Sequence, residues 1–420
     1  MEKGSEYSFE VERKKWMKSL HSITEYTMEE EYLLQLLKAS LHSQNSDGTF
    51  NDANTKMWDA IISMAEKHSV LSLLFDILED NDKLSPMARQ RMGAVAKRTI
   101  LQQYHLLFFS KYFVDLFERN DIEVAIMKGV TIGAYYPVPE LRKSGDVDLL
   151  LTQMADIDRA KKVMLENGFE VKEEQLALHH ISFVSKEGID IEIHTLLAEP
   201  FDNEKTNIYL QNVVAECRGK LVKKSIMGVE LPVLSDAYFA FELLLHMLQH
   251  FLRAGFGLKL LCDWVVFWKE SFPEQEKCKY LELVNQAGIK KFSDIITLIC
   301  IQFLGLEEKE VSWMNIAELD VVNDFLKEIL RAEEFGKSDI NRMVVMRGTG
   351  IVDYIREFHH QMRLNFPKLG RCFLLWPILW GITLFRFLRN NRTLRNVSTK
   401  DILKEAKRRS TLMKQLNLFQ

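Results

Sequence analysis

The sequence predicts an α+β protein in which a small mixed sheet is flanked on both sides by helical segments. Apolar residues recur at helical spacing from about residue 30 to residue 117. Short strand-like and helical runs then alternate between residues 121 and 194, and helical spacing returns beyond Ser235. Strands and helices mixed within one short stretch are typical of a small α+β domain.

The first predicted region, residues 1–120, is helical. Apolar side chains line one helical face in residues 31–37 and again in residues 58–65. A polar run at 79–83 and Pro86 interrupt this pattern. We therefore expect two or three helices, followed by a long helix over residues 87–119.

The second predicted region, residues 121–235, contains the sheet. It combines five strand-like runs with two short helical runs. The strands are predicted at 122–127, 147–151, 169–172, 180–185 and 189–194, and the helices at 132–136 and 157–167. No repeat period is present in this region.

Two further regions complete the chain. Residues 236–365 are predicted to be helical, with helices at 237–252, 258–271, 276–287 and 292–303. Residues 366–420 form an apolar and then basic tail. No stretch rich in glycine and serine separates the regions, so we expect one compact body.

Composition excludes several classes of protein. The chain has 420 residues, of which 47% are hydrophobic and 27% charged, as in ordinary globular proteins. Its net charge of -4 gives no support for a nucleic-acid partner. The five cysteines are scattered, which argues against a zinc knuckle or a disulfide framework. Residues 1–18 lack the apolar stretch of a secretory signal, so a cytoplasmic location is expected.

The tail carries an apolar run over residues 372–385. A membrane-crossing helix needs roughly 20 apolar residues, so this run is too short to span. A basic segment follows it, with only Asp401 and Glu405 opposing Arg386, Arg389, Arg392, Arg395, Lys400, Lys404, Lys407, Arg408 and Arg409. Peripheral contact with an anionic membrane is one interpretation. The alternative is a helix packed on the body with a solvated basic face.

The candidate site begins with Asp146 and Asp148. They alternate with Val147 and Leu149 on a predicted strand, so both carboxylates point to one face while the apolar residues enter the core. Paired carboxylates suit Mg²⁺, which also takes oxygens from a triphosphate. We expect Mg²⁺ or Mn²⁺ at this position.

A second acidic strand carries Asp190, Glu192 and His194 on one face. If this strand lies beside the first, Glu192 completes a three-carboxylate site for two metals, with Asp190 as the rival third ligand. His194 is either a supporting group behind the ligands or an ordinary polar residue. His179 and His180 are either substrate contacts or polar residues at a strand end.

Residues Lys128 and Gly129 end the first predicted strand just before a short helix. Free backbone N–H groups at such a place can grip phosphate, and glycine allows close approach. The side chain of Lys128 or Arg142 would neutralise phosphate charge. The predicted nucleotide-binding residues are Lys128, Gly129, Arg142 and Ser144.

Other polar patterns are weaker. His246 and His250 stand four apart on a helix, but no glutamate follows His246 as the zinc-protease motif requires. Asp263 is either a surface acid or a buried partner of Lys259 or Arg253, and we assign it a structural role. No serine or cysteine lies in a nucleophile elbow, so acyl transfer has no support.

Taken together, these motifs resemble the bacterial nucleotidyltransferase 5 family, within the DNA-polymerase-beta-like superfamily. The resemblance rests on the order Lys128-Gly129, Tyr136-Pro137, Arg142, Gly145-Asp146-Val147-Asp148-Leu149-Leu150 and Ile191-Glu192-Ile193-His194, with further similarity in 65–70 and 258–263. It implies a nucleotidyltransferase core with a catalytic metal at Asp146, Asp148 and Glu192. The wider superfamily usually has Gly-Ser or Gly-Gly where this chain has Lys128-Gly129.

The resemblance implies transfer of a nucleoside monophosphate from a nucleoside triphosphate, such as ATP, to a hydroxyl group. The acceptor could be a small metabolite, a sugar, a protein side chain or an RNA end, and a small molecule or modified product is our first expectation. Two alternatives remain open. One is a toxin-like enzyme acting on tRNA, although such toxins show Lys-Gly-Gly, and the other is a catalytically silent nucleotide-binding scaffold.

Overall fold

The computed structural model describes residues 26–44, 53–175, 180–201, 203–253, 255–315, 319–333 and 372–390, and also positions 359, 362, 366, 369, 408, 411–416 and 418. The predicted fold class is confirmed, because a mixed five-stranded sheet is flanked by helices on both sides along the chain. The regional boundaries remain predictions.

The first described elements are helices, as predicted. They are α1 Met28–Leu41, α2 Thr55–Lys67, a 3-10 turn Leu71–Leu74, α3 Phe75–Leu78 and the long α4 Pro86–Glu118. Thr27 caps α1 through a reciprocal pair of hydrogen bonds with Glu30. Ser85 caps α4, and Pro86 occupies its first turn, where a missing N–H costs nothing.

Five strands form one sheet. They are β1 Val124–Ile126, β2 Val147–Leu151, β3 Glu170–Gln175, β4 His180–Val184 and β5 Asp190–His194, with α5 Val130–Gly133 and α6 Ile157–Glu166 between them. The spatial order is β1-β2-β5-β4-β3. Only β2 and β5 pair in parallel, and every other neighbouring pair is antiparallel.

The two faces of this sheet differ in chemistry. Val147 and Leu149 of β2, with Ile191 and Ile193 of β5, pack into one hydrophobic core beside α4. Asp148 lies on the opposite face of the sheet. The alternation read from the sequence thus separates an apolar face from a face that carries charged groups.

The remaining helices are α7 Glu204–Cys217, α8 Asp236–Arg253, α9 Leu258–Trp268, α10 Glu274–Gln286, α11 Lys290–Leu304, α12 Leu319–Ala332 and α13 Trp376–Asn390. Side chains of α8, α9 and α11 share one hydrophobic core with α1 and α2. The helical segments before and after the sheet therefore pack against each other, although they are distant in sequence.

Several elements differ from the sequence-based expectation. The helix expected at 132–136 begins at Val130 and ends at Gly133. Neither α7 nor the hairpin of β6 Val222–Ile226 and β7 Val229–Val233 was predicted. Met227 and Gly228 both have positive φ, as a two-residue hairpin turn requires. In the described part of the chain, no helix is long and apolar enough to cross a membrane.

Candidate active site

Parallel pairing of β2 and β5 brings the acidic residues of the two strands together. Asp148 and Glu192 are direct partners in the register. One ligand atom each from Asp148, Glu192 and His194 lies within 4.8 Å of the other two. Carboxylate oxygens and an imidazole nitrogen at this spacing can hold one metal ion.

Between the two carboxylates lies the His194 ring. Its Nε2 is 3.0 Å from Asp148 Oδ1 and 3.3 Å from Glu192 Oε2. Burial alone would lower the pKa of His194, but the hydrogen bonds to these carboxylates raise it to about 9. Burial would raise the pKa of Asp148, but the charge of Lys128 and the hydrogen bond from His194 hold it below its ordinary range. The protonated, positively charged form of His194 is therefore favoured between the two carboxylates.

Asp146 directly precedes β2. It lines the cavity that also contains Asp148 and Glu192, but it is not part of the group formed by Asp148, Glu192 and His194. The charge of Asp148, followed by burial, raises the pKa of Asp146 to about 7. Two neighbouring carboxylates resist being ionised together unless a cation compensates them. Among the described residues, the buried Oδ2 atom of Asp148 has no hydrogen-bond partner. Hard oxygen donors with one open lone-pair position fit Mg²⁺ or Mn²⁺.

Asp190, the first residue of β5, lies away from the group formed by Asp148, Glu192 and His194. Its Oδ1 atom is 2.7 Å from Lys172 Nζ in an exposed ion pair. His180 stands beside His194, with ring centroids 5.7 Å apart, and its buried Nδ1 has no partner within the described residues. His179 lies outside the described residues.

The segment Lys128-Gly129 forms the edge of the site. Lys128 Nζ is 3.2 Å from Asp148 Oδ1, and the Lys128 backbone N–H donates to Glu242 Oε1 at 3.1 Å. Burial would lower the pKa of Lys128, but the charges of Asp148 and Glu242 raise it. Gly129 has φ 56°, in the left-handed region that glycine adopts without strain. Helix α5 after it has only four residues, so its dipole contributes little to phosphate binding.

Glu242, on α8, is fully buried below this segment. Burial raises its pKa to about 7, although the charge of Lys128 and the hydrogen bond from the Lys128 backbone act in the opposite direction. Its second carboxylate oxygen, Oε2, has no partner among the described residues. Sequence reasoning missed Glu242, because a single acid within an apolar helix has no distinguishing spacing.

Arg142 was predicted to contact nucleotide, and the structure places its guanidinium in a buried network. Its Nε and Nη2 donate to the two Asp263 carboxylate oxygens at 3.0 and 2.7 Å. Its Nη1 donates to Gly129 O at 3.2 Å and to Ser144 Oγ at 2.6 Å. Gln103 also donates to Ser144 Oγ, at 2.9 Å. These contacts fix the loop that leads to Asp146.

Asp263 has a partner that the sequence did not suggest. Its carboxylate is buried against Arg142 and accepts the Tyr136 hydroxyl at 2.8 Å. Arg253 instead pairs with Glu199 at the surface. The structural role expected for Asp263 agrees with these contacts, but the residue that it pairs with lies 121 positions away in sequence.

Helix α8 forms the wall that faces the sheet across the cavity. His246 and His250 meet edge to face with ring centroids 4.4 Å apart. Burial lowers the pKa of both rings, aided by His250 for His246 and by Lys128 for His250, whose pKa falls to about 3. Both rings are therefore neutral at physiological pH. Within the described residues, they belong to no group able to hold a metal.

The cavity between the sheet and α8 has a volume of about 540 Å³. This is within the usual range for small-molecule sites. Residues Lys128, Asp146, Asp148 and Glu192 line one side, and His246 lines the other. All the predicted catalytic and nucleotide-binding residues border this cavity, and their roles remain predictions.

Comparison with known proteins identifies one matching family. The sequence model of a family described as "uncharacterised nucleotidyltransferase" matches residues 54–305. Among solved structures, an antigenic nucleotidyltransferase-like protein from Paracoccidioides brasiliensis is 15% identical, and the match covers 43% of this chain and 88% of that chain with a TM-score of 0.29. That superposition is too loose to carry an argument. No curated protein matches.

Proposed function

The chain belongs to the family of uncharacterised nucleotidyltransferases, and from this premise we propose that it transfers a nucleoside monophosphate from a nucleoside triphosphate to a hydroxyl group. The acceptor oxygen bonds to the α-phosphorus and loses its proton. The bond from that phosphorus to the bridging oxygen of the β-phosphate breaks, and pyrophosphate leaves. The observation that carries the proposal is the direct pairing of Asp148 with Glu192 beside Lys128.

Asp148 and Glu192 would hold a divalent cation, Mg²⁺ or Mn²⁺, with Asp146 and His194 next to them. Such a cation neutralises charge on the triphosphate and on the departing pyrophosphate. The open Oδ2 position of Asp148 supports this assignment. His194 would support the ligands by hydrogen bonding to Asp148 and Glu192, because its Nε2 lies within reach of both.

Lys128 would contact phosphate directly. Its ammonium group lies 3.2 Å from an Asp148 oxygen and is partly exposed in the cavity, so it can reach a ligand bound there. Arg142 and Ser144 would act behind it, since their hydrogen bonds hold Gly129 and the loop before Asp146. We therefore propose that these two residues position the site.

A small hydroxyl-bearing molecule is the proposed acceptor. The wall opposite the carboxylates presents the neutral rings of His246 and His250, which can exchange hydrogen bonds with hydroxyl groups. Binding to a long polynucleotide depends mainly on many Lys and Arg contacts with phosphate. The net charge of -4 gives little support for binding a polynucleotide. Transfer to tRNA is therefore kept as the alternative.

The test is incubation of the protein with each α-labelled nucleoside triphosphate, Mg²⁺ or Mn²⁺, and cell extract, followed by identification of the labelled product. Asp148→Asn should abolish labelling. Asp190→Asn is the matched control, because Asp190 lies on the same strand face as Glu192 but pairs with Lys172. Label on tRNA would favour the toxin-like alternative. Binding of the metal-nucleotide complex without any transfer would favour a silent scaffold.

A further inference from the structure

Helix α13 presents an apolar face to solvent. Ile378, Ile382 and Phe385 follow at intervals of four and three residues, so they lie on one side of the helix. Their exposed fractions are 62%, 38% and 64%. Leu379 and Thr383 on another side are buried. The helix is therefore packed on one side and exposes apolar side chains on the other.

Leu384, 47% exposed, widens the same surface, and Phe373 extends it at 69%. We name Ile378, Ile382, Leu384 and Phe385 the outer apolar face of α13. Single exposed apolar residues are normal, but a group of them marks a surface that contacts another protein or a membrane. The outer apolar face therefore favours contact with a partner.

The chemistry of the adjoining sequence indicates which partner. Nine Lys and Arg residues and two acidic residues occur between residues 386 and 409, for a net charge of +7. Since the whole chain carries -4, the remainder carries -11. Positive charge is thus concentrated in the sequence that directly follows the outer apolar face. One of these residues, Arg408, contacts Glu328 of α12.

We propose that α13 lies in the surface layer of an anionic membrane. The outer apolar face would enter the boundary between headgroups and acyl chains, and the basic residues that follow, apart from Arg408, would contact anionic headgroups. The helix would lie in the membrane plane, since none of the described helices is able to cross a bilayer.

A second copy of the chain is a less suitable partner. A stable protein interface buries about 800 Å² on each side, which four partly exposed side chains do not supply. A second copy would also bring its own basic segment beside the first. Lipid headgroups of opposite charge avoid this repulsion and require only a few inserted apolar side chains.

Flotation of the full chain with lipid vesicles tests the proposal. We expect the protein to float with vesicles of phosphatidylcholine mixed with phosphatidylglycerol at low salt, and to remain below with phosphatidylcholine alone. High salt should release it, because exposed charges are screened. The double substitution Ile378→Glu and Phe385→Glu should lower the bound fraction at least tenfold.

The matched control replaces exposed apolar residues elsewhere. Met87→Glu and Leu101→Glu on α4, at positions that are 77% and 55% exposed, should leave flotation unchanged. Circular dichroism of both variants should match the wild type, since all four sites are exposed. Failure of the unaltered protein to float with anionic vesicles at low salt would overturn the proposal. So would a wild-type dimer that the α13 substitutions convert to a monomer without any lipid binding.

Discussion

Replacing Asp263 with asparagine should strongly destabilise the protein and disturb the site at the same time. The Asp263 carboxylate is buried and accepts hydrogen bonds from Arg142 Nε and Nη2 and from the Tyr136 hydroxyl. Asparagine keeps the shape but offers one acceptor oxygen and no charge, so the buried guanidinium of Arg142 loses its counter-ion. Breaking one side of a buried ion pair costs about 3–5 kcal/mol. We expect the lower end, because one hydrogen bond can persist.

Urea unfolding followed by tryptophan fluorescence measures this loss. Asp190→Asn is the control, because its ion pair with Lys172 is exposed and should contribute no more than about 1 kcal/mol. A double-mutant cycle sharpens the test. Asp263→Leu and Arg142→Met together should destabilise less than the sum of the single changes, by roughly 2–3 kcal/mol, because no charge remains unpaired.

Asp263→Asn should also affect the site, because the hydrogen-bond network of Asp263 extends to the loop before Asp146. Arg142 Nη1 also holds Gly129 O and Ser144 Oγ, so its displacement frees the loop before Asp146. We expect weaker binding of metal-nucleotide complexes in Asp263→Asn under conditions where the variant is still folded. A free energy of unfolding within about 0.5 kcal/mol of the wild type, or strictly additive single changes, would refute this reasoning.

Three further predictions concern the site itself. Asp148→Asn should weaken metal-nucleotide binding and abolish turnover, whereas Glu192→Gln should keep much of the affinity and lose roughly a hundredfold or more in kcat. Nucleotide titration with single-turnover transfer separates the two, and full activity in Glu192→Gln would remove Glu192 from the proposed site. Lys128→Ala should raise the KM for the nucleoside triphosphate more than it lowers kcat, if its ammonium contacts phosphate, and an unchanged KM would exclude that contact. Burial raises the pKa of Glu242 to about 7, against the opposing charge of Lys128, so the stability that its protonated form contributes is complete below the ordinary glutamate pKa and is lost as the pH rises through about 7. Glu242→Gln should therefore reduce the fall in melting temperature between pH 5 and pH 8, and an equally steep fall in the variant would contradict the assignment.

The sheet could largely be predicted from the sequence. Alternation of apolar and acidic residues, complete in β5 and brief in β2, is typical of strands with one buried apolar face. The sequence could not reveal that β2 and β5 are neighbours or that Asp148 lies opposite Glu192. Strand order depends on how the whole chain packs, and no local pattern encodes it.

The site was harder to predict where residues act over long sequence distances. The local sequence around an arginine does not show whether its guanidinium binds phosphate or lies in a buried ion pair. The ion pair of Arg142 was therefore visible only from its contact with Asp263 in the structure. Spacing placed His246 and His250 on one side of a helix. It could not indicate that this side faces the cavity. Glu242 carried no signal, since its partner is a backbone N–H group.

Two connected strands, β3 and β4, separate β2 from β5 along the chain, yet β5 lies next to β2 in the sheet. The antiparallel pairs β3-β4 and β4-β5 join residues that are close in sequence, so they can form early during folding. The contact between Asp148 and His194 spans 46 positions and requires that this meander dock against β2. The proposed cation site is then complete only in the docked state. Substitutions that loosen β3 or β4 should weaken cation binding there without altering Asp148, Glu192 or His194.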